Sequence, residues 1–64
     1  MKLRDWLDAN GVSVAEFASR IGRTAESVRR YAAEERIPDK RTMPLIAEQT
    51  NGEVTANDFF GIAA

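Results

Sequence analysis

The stretch "VAEFASRIGRTAESVRR", residues 14–30, places Gly22 between two short segments whose apolar residues recur at helical spacing. Val14, Phe17, Ala18 and Ile21 line one side of the first segment, and Val28, Tyr31 and Ala32 line one side of the second. Ser13 and Glu16 form a capping box in which the hydroxyl takes the Glu16 N–H and the carboxylate reaches back, so a helix begins at residue 14. Gly22 ends that helix, because glycine enters the left-handed region at little cost. Thr24 is an N-cap for the next helix, which runs from Ala25 to about Glu34. Only Gly22, Arg23 and Thr24 join the two, and so short a joint forces a steep meeting of the helix-turn-helix type.

Working outward, Leu3, Trp6 and Leu7 make one apolar stripe, and Asn10-Gly11 is a left-handed stop, which predicts a first helix over about residues 2–9. Trp6 could serve as a stacking platform for nucleic acid, but its spacing with Leu3 and Leu7 makes it a core residue. "RIPDKRTMP", residues 36–44, is a loop passing into a fourth helix. Asp39 and Thr42 are both N-cap candidates there, and Pro44 fits only within the first turn or at a kink. Met43, Leu45, Ile46 and Ala47 give the fourth helix apolar surface, and Asn51-Gly52 stops it. Thr55 caps a last short turn, "ANDFF", in which Phe59 and Phe60 lie about 100° apart, so that one seals the core while the other stays exposed. The expected fold is all-α: a compact bundle of about five short helices containing a helix-turn-helix, one domain over residues 1–64, with no internal repeat and no linker.

At 64 residues the chain is close to the lower limit at which a core holds without staples. It has no cysteine and no histidine, which removes disulfides, thiolate or imidazole metal sites and the usual nucleophile and base pairs. Glu34 with Glu35, and Asp5 with Asp8, read as solvated surface rather than acid/base pairs. No catalytic residue, metal site, cofactor or small-molecule substrate is expected. The opening "MKLRDWLDAN" has no uninterrupted apolar run, so neither a signal peptide nor a membrane span is read, and a cytoplasmic location is expected.

Net charge is −1, but it is unevenly spread. Residues 20–41 carry Arg20, Arg23, Arg29, Arg30, Arg36, Lys40 and Arg41 against Glu26, Glu34, Glu35 and Asp39, while the two ends together are acidic. With Val28 pointing into the core, Glu26, Arg30 and Ala33 point nearly opposite, and Ser27 and Arg29 flank them. An arginine pair is more often a solvated face. Here it belongs to a compact polar strip beside a tight turn, a pattern that fits contact with DNA.

Ala18, Gly22, Val28 and Tyr31 resemble the small residue, turn glycine, buried aliphatic and aromatic of the lambda-repressor and Cro class of helix-turn-helix proteins, with Phe17 and Ile21 at its apolar positions. The tail "IPDKRTMPLIAEQTNGEVTANDFF" is similar to the last helices of short Cro-like prophage regulators, including the YdaS-type group. The position after the turn glycine, usually apolar in that family, is here Arg23; an unpaired buried guanidinium is costly, so Arg23 is expected to reach outward and to leave the turn less well packed.

The resemblance implies sequence-specific binding of double-stranded DNA by a small transcriptional regulator, with the helix over about 25–34 in the major groove and the preceding helix across the backbone. Glu26, Ser27, Arg29 and Arg30 are the base-contact candidates. Glu26 either accepts from a cytosine amino group or steers Arg30. Ser13, Val14 through its backbone N–H, Arg23, Thr24, Lys40 and Arg41 are the phosphate-contact candidates. A homodimer, at least on DNA, is expected, since one helix in one groove touches the duplex at few points. The rival reading is a helical protein-interaction module, an adaptor or antitoxin-like partner, favoured by low net charge and the aromatic tail.

Overall fold

A computed structural model describes residues 1–60, with side chains as far as Phe59. These residues form α1 (Leu3–Asn10), α2 (Val14–Ile21), α3 (Ala25–Ala32), α4 (Thr42–Gln49) and α5 (Ala56–Phe60), with no strand among them. The first four are eight residues each, two turns, which is too short for a helix to persist alone in water. Their persistence rests on what terminates them and what they bury.

One device ends all four. Gly11, Gly22, Glu34 and Asn51 adopt φ of 63°, 69°, 62° and 54°. The N–H of the residue after each then reaches back into the helix: Val12 to Leu7 O at 3.1 Å, Arg23 to Ala18 O at 2.9 Å, Glu35 to Arg30 O at 2.9 Å and Gly52 to Ala47 O at 2.7 Å. The otherwise unpaired carbonyls of the last turn are satisfied and the chain reverses within two residues. α3 therefore stops at Ala32, two residues short of the expected end at Glu34, because Glu34 itself takes the left-handed conformation.

At the starts, Ser13 Oγ accepts the Glu16 N–H at 3.0 Å and Thr24 Oγ1 accepts the Ser27 N–H at 3.1 Å. Only half of the expected capping box forms, since the Glu16 carboxylate turns to Arg20, one helical turn on, rather than back to Ser13. A charge-assisted bond in the favourable Glu-before-Arg order outcompetes a neutral backbone donor. Of the two N-cap candidates for the fourth helix it is Asp39 that acts, its Oδ1 accepting the Thr42 N–H at 2.8 Å. Pro44 is the third residue of α4, where a missing N–H leaves nothing unmade. At α5 the Thr55 N–H and hydroxyl both donate to Asp58 Oδ2, at 2.9 and 3.3 Å, and the Asp58 N–H meets Thr55 O rather than the hydroxyl expected to cap it.

Packing follows the apolar stripes. α2 lies against α3 and α4, and α1 against α3. Phe17, Val28, Ile46 and Val54 are wholly buried at the centre, and Trp6 meets Phe17 edge-on with centroids 5.7 Å apart and planes at 62°. Trp6 is thus a core residue, and its indole N–H donates to Glu53 Oε2 at 3.2 Å. Buried Thr50 donates to Ile46 O and accepts from Val54 N–H, which ties the end of α4 to the segment leading into α5. Among the described residues no buried side-chain polar atom lacks a partner. Phe59 is buried, so it seals the core as one of the two terminal phenylalanines was expected to; the side chain of Phe60 lies outside the described ones. No described helix is long and apolar enough to cross a membrane.

A Cβ placed on Gly22 would meet nothing within 4 Å, so substitution there tests backbone conformation without a clash. Gly22→Ala is expected to reduce stability by about 1 kcal/mol and Gly22→Val by more, because a β-branched side chain tolerates positive φ worst. Urea denaturation checks this; valine unfolding at the parent midpoint would place Gly22 outside the left-handed region.

Candidate nucleic-acid interface

The outer side of α3 carries exposed Glu26, one helical turn from the Gly22 corner, and exposed Arg29 and half-buried Arg30 one turn further on. They are a bonded group. Glu26 Oε1 accepts from Arg29 Nε at 3.1 Å, while Oε2 accepts from Arg29 Nη2 at 3.0 Å and from Arg30 Nε at 2.8 Å. The spacings i,i+3 and i,i+4 put both guanidinium groups over the same carboxylate. Hydrogen bonds from Arg29 and then Arg30 hold the Glu26 carboxyl at about 2, against an ordinary 4.5, and the pairing raises the Arg29 pKa. The three side chains carry one net positive charge, delivered by the two arginines around a fully ionised hub.

Ser27 is drawn toward the cap: it is half-buried and its hydroxyl oxygen accepts from Thr24 Oγ1 at 3.0 Å. Thr24 and Ser13 are exposed, each occupied in capping its own helix, and Val14 is half-buried at the first position of α2. Ala33 is exposed just beyond the end of α3 and leaves the outer side of the helix open to close approach.

Arg23 is placed otherwise than expected. It does not reach outward: it is half-buried, with Nε donating to Thr42 Oγ1 at 3.0 Å and Nη1 to Gly22 O at 3.2 Å. Buried Thr42 in turn donates its backbone N–H to Asp39 Oδ1 at 2.8 Å, and its proximity lowers the Asp39 pKa. A relay from Arg23 through Thr42 to Asp39 therefore bolts the α2–α3 turn to the start of α4, and the turn is tied rather than loosely packed. From sequence, Asp39 and Thr42 stand out only as caps. The signal for the relay was a cation at a position that wants an apolar residue, which requires a polar partner on the facing element.

The relay has a further consequence for Lys40 and Arg41. Both are exposed, neither joins an ion pair among the described residues, and they sit between the two relay residues Asp39 and Thr42. Their backbone is thereby held beside the α2–α3 turn. No group of three or more potential metal ligands occurs among the described residues. Comparison with protein-family models, curated proteins and solved structures returned no match for this chain.

The depressed Glu26 and Asp39 carboxyls set a direction for acid stability. A carboxylate whose folded pKa lies below its unfolded value stabilises the fold above the unfolded value and stops doing so as pH falls through the folded one. Thermal midpoints are expected to decline as pH is lowered from 4.5 to about 2, and Glu26→Gln to flatten part of that decline. The flattening is expected to be small for side chains this exposed, and a Glu26 carboxyl resonance that titrates at its ordinary 4.5 would mean that the carboxylate is not held by the arginines.

Proposed function

We propose that this protein is a small transcriptional regulator that binds double-stranded DNA sequence-specifically through a helix-turn-helix formed by α2 and α3, with α3 in the major groove. The observation that carries the reading is the arginine pair on the outer side of α3, arranged around Glu26 one turn from the Gly22 corner. Guanidinium groups on a helix face are suited to the acceptor-rich edge of guanine. Exposed Lys40 and Arg41, held beside the turn, are suited to the phosphates that flank the groove. The resemblance of residues 17–31 to the lambda-repressor and Cro class points the same way. On this reading the protein acts in the cytoplasm by binding rather than catalysis, needs no cofactor, and assembles as a homodimer on DNA. Met1 and Ile37 are the exposed large hydrophobics among the described residues, which supports assembly assisted by the duplex rather than by a large apolar interface. The protein-interaction alternative drew on the aromatic tail, and burial of Phe59 in the core weakens that support.

Selection of bound sites from a random duplex pool tests the class. An enriched inverted repeat with half-site centres roughly 34 Å apart is expected, and log K should fall steeply with log salt. No retained duplex, or binding indifferent to salt, would sink the reading; a single asymmetric half-site bound one to one would sink the dimer.

Removing Lys40 and Arg41 together is expected to weaken selected and scrambled duplexes alike and to shrink the salt slope by about one unit for each phosphate that is no longer neutralised. Arg23→Ala, by contrast, should chiefly lower the melting temperature, since two of its guanidinium nitrogens are already engaged within the protein. Titrations at several salt concentrations, with melting curves, separate the two effects. An Arg23→Ala variant that melts like the parent but has a reduced salt slope would return Arg23 to the phosphate-binding set.

A further inference from the structure

The three-residue group on α3 is not symmetrical, and its asymmetry assigns different work to its members. Arg29 gives Glu26 its side-on fork, Nε and Nη2, to the two oxygens of one carboxylate. Arg30 gives only Nε, and neither of its Nη groups makes a hydrogen bond among the described residues. Glu26 accepts three hydrogen bonds across its two oxygens and is ionised to low pH, so its acceptor capacity is largely spent within the protein.

Resting on the DNA-binding reading above, we propose that Glu26 is a positioning residue that aims Arg30, that Arg30 alone reads a guanine through its Nη1 and Nη2 donors, and that Arg29 serves as the second anchor of Glu26. The chemistry follows from the bonding. A guanidinium pinned at Nε can still turn its terminal edge outward, where two parallel N–H donors match the O6 and N7 acceptors of guanine. Arg29 keeps a terminal edge of its own, but it is held by two bonds rather than one and lies only about 100° round the helix from buried Val28, whereas Arg30 lies about 200° from it, opposite the core. The pinning also restricts the long Arg30 side chain before binding, so less rotamer freedom is given up when it meets the base. The carboxylate has a second effect: it withholds one positive charge from the phosphates, which penalises binding to duplexes that offer no guanine in the right place.

The measurements are titrations of the parent, Arg29→Ala, Arg30→Ala and Glu26→Gln against the selected duplex, a scrambled duplex, and selected duplexes altered one base pair at a time, at several salt concentrations. Arg30→Ala is expected to abolish preference at one guanine in each half-site, a reduction of about tenfold. Arg29→Ala should keep that preference. Glu26→Gln should bind scrambled duplex more tightly, steepen the salt slope by about one unit as a released arginine reaches a phosphate, and reduce preference at the same guanine. All three positions are half-buried or exposed on the outer side of α3, so the variants are expected to fold, and melting curves verify it.

Two results overturn the inference while leaving DNA binding intact. One is a Glu26→Gln variant that relinquishes preference at a cytosine instead, with salt slope unchanged, which would make Glu26 a base reader. The other is guanine preference abolished in Arg29→Ala and retained in Arg30→Ala. Absence of salt-dependent binding by the parent to any duplex would instead overturn the DNA reading itself, and this inference with it. A nitrogen-detected spectrum of the free protein checks the pinning independently: slowed exchange of the Arg29 and Arg30 Nε–H groups should disappear in Glu26→Gln.

Discussion

At Gly22 the backbone passes through the left-handed region with φ of 69°, and the Arg23 N–H closes onto Ala18 O at 2.9 Å. Everything on the candidate face is placed by that reversal. It leaves only Arg23 and Thr24 before α3 begins, so α3 must start against the side of α2, with Val28 entering the same core as Phe17. Once Val28 is inside, the 100° step of the helix puts Glu26 and Arg30 outside. The direction in which the arginines point is therefore fixed by a backbone conformation several residues upstream, together with one buried valine.

The reversal also determines what Arg23 does. Directly after a left-handed residue, its side chain leaves the turn on the side facing α4. An unpartnered cation there would be costly, and the structure supplies the partner as the hydroxyl of a buried threonine whose backbone N–H is bonded to Asp39. Thr42 accepts from the guanidinium through its hydroxyl and donates to the carboxylate through its backbone N–H, and an aliphatic residue of the same shape would lose the first of these. A polar relay thus joins the turn to α4, and it holds the cationic loop 40–41 close to the turn as it does so.

Much of the fold was legible because two-turn helices need explicit punctuation. Serine, threonine, aspartate, glycine and asparagine mark the element ends, and the apolar spacing of Leu3, Trp6, Phe17, Ile21, Val28 and Ile46 identified core positions. Misreadings arose where a residue had two competing uses. Glu16 could complete a capping box or pair with Arg20, and the stronger charge attraction won. Glu34 has good helix propensity yet takes positive φ, because the chain must reverse there and no glycine was present to do it. At the candidate site the members of the α3 face were visible from periodicity alone. Their bonding was not, since spacing says that Glu26 can meet Arg29 and Arg30 but leaves open which nitrogens it engages. The tie from Arg23 to Thr42 was invisible because it spans 19 residues of sequence and depends on how α4 docks.

The ion pairs on α3 invite the question of why they are there. All three side chains are roughly half-exposed, and pairs of that kind add little to a fold, less still in salt. Alanine or glutamine at these positions would serve helix formation equally well. Stability therefore accounts poorly for two arginines clamped on one glutamate, whereas presentation accounts for them well: a flexible guanidinium becomes a directed donor pair only when one of its nitrogens is held. A chain of net charge −1 carries a cationic face because its charges are unevenly placed. Its excess of carboxylates lies mostly in the terminal segments, at Asp5, Asp8, Glu48, Glu53 and Asp58, while residues 20–41 hold seven of its nine cations. Charges beyond about one Debye length, roughly 10 Å, are largely screened, so local arrangement rather than total charge governs what the α3 face attracts.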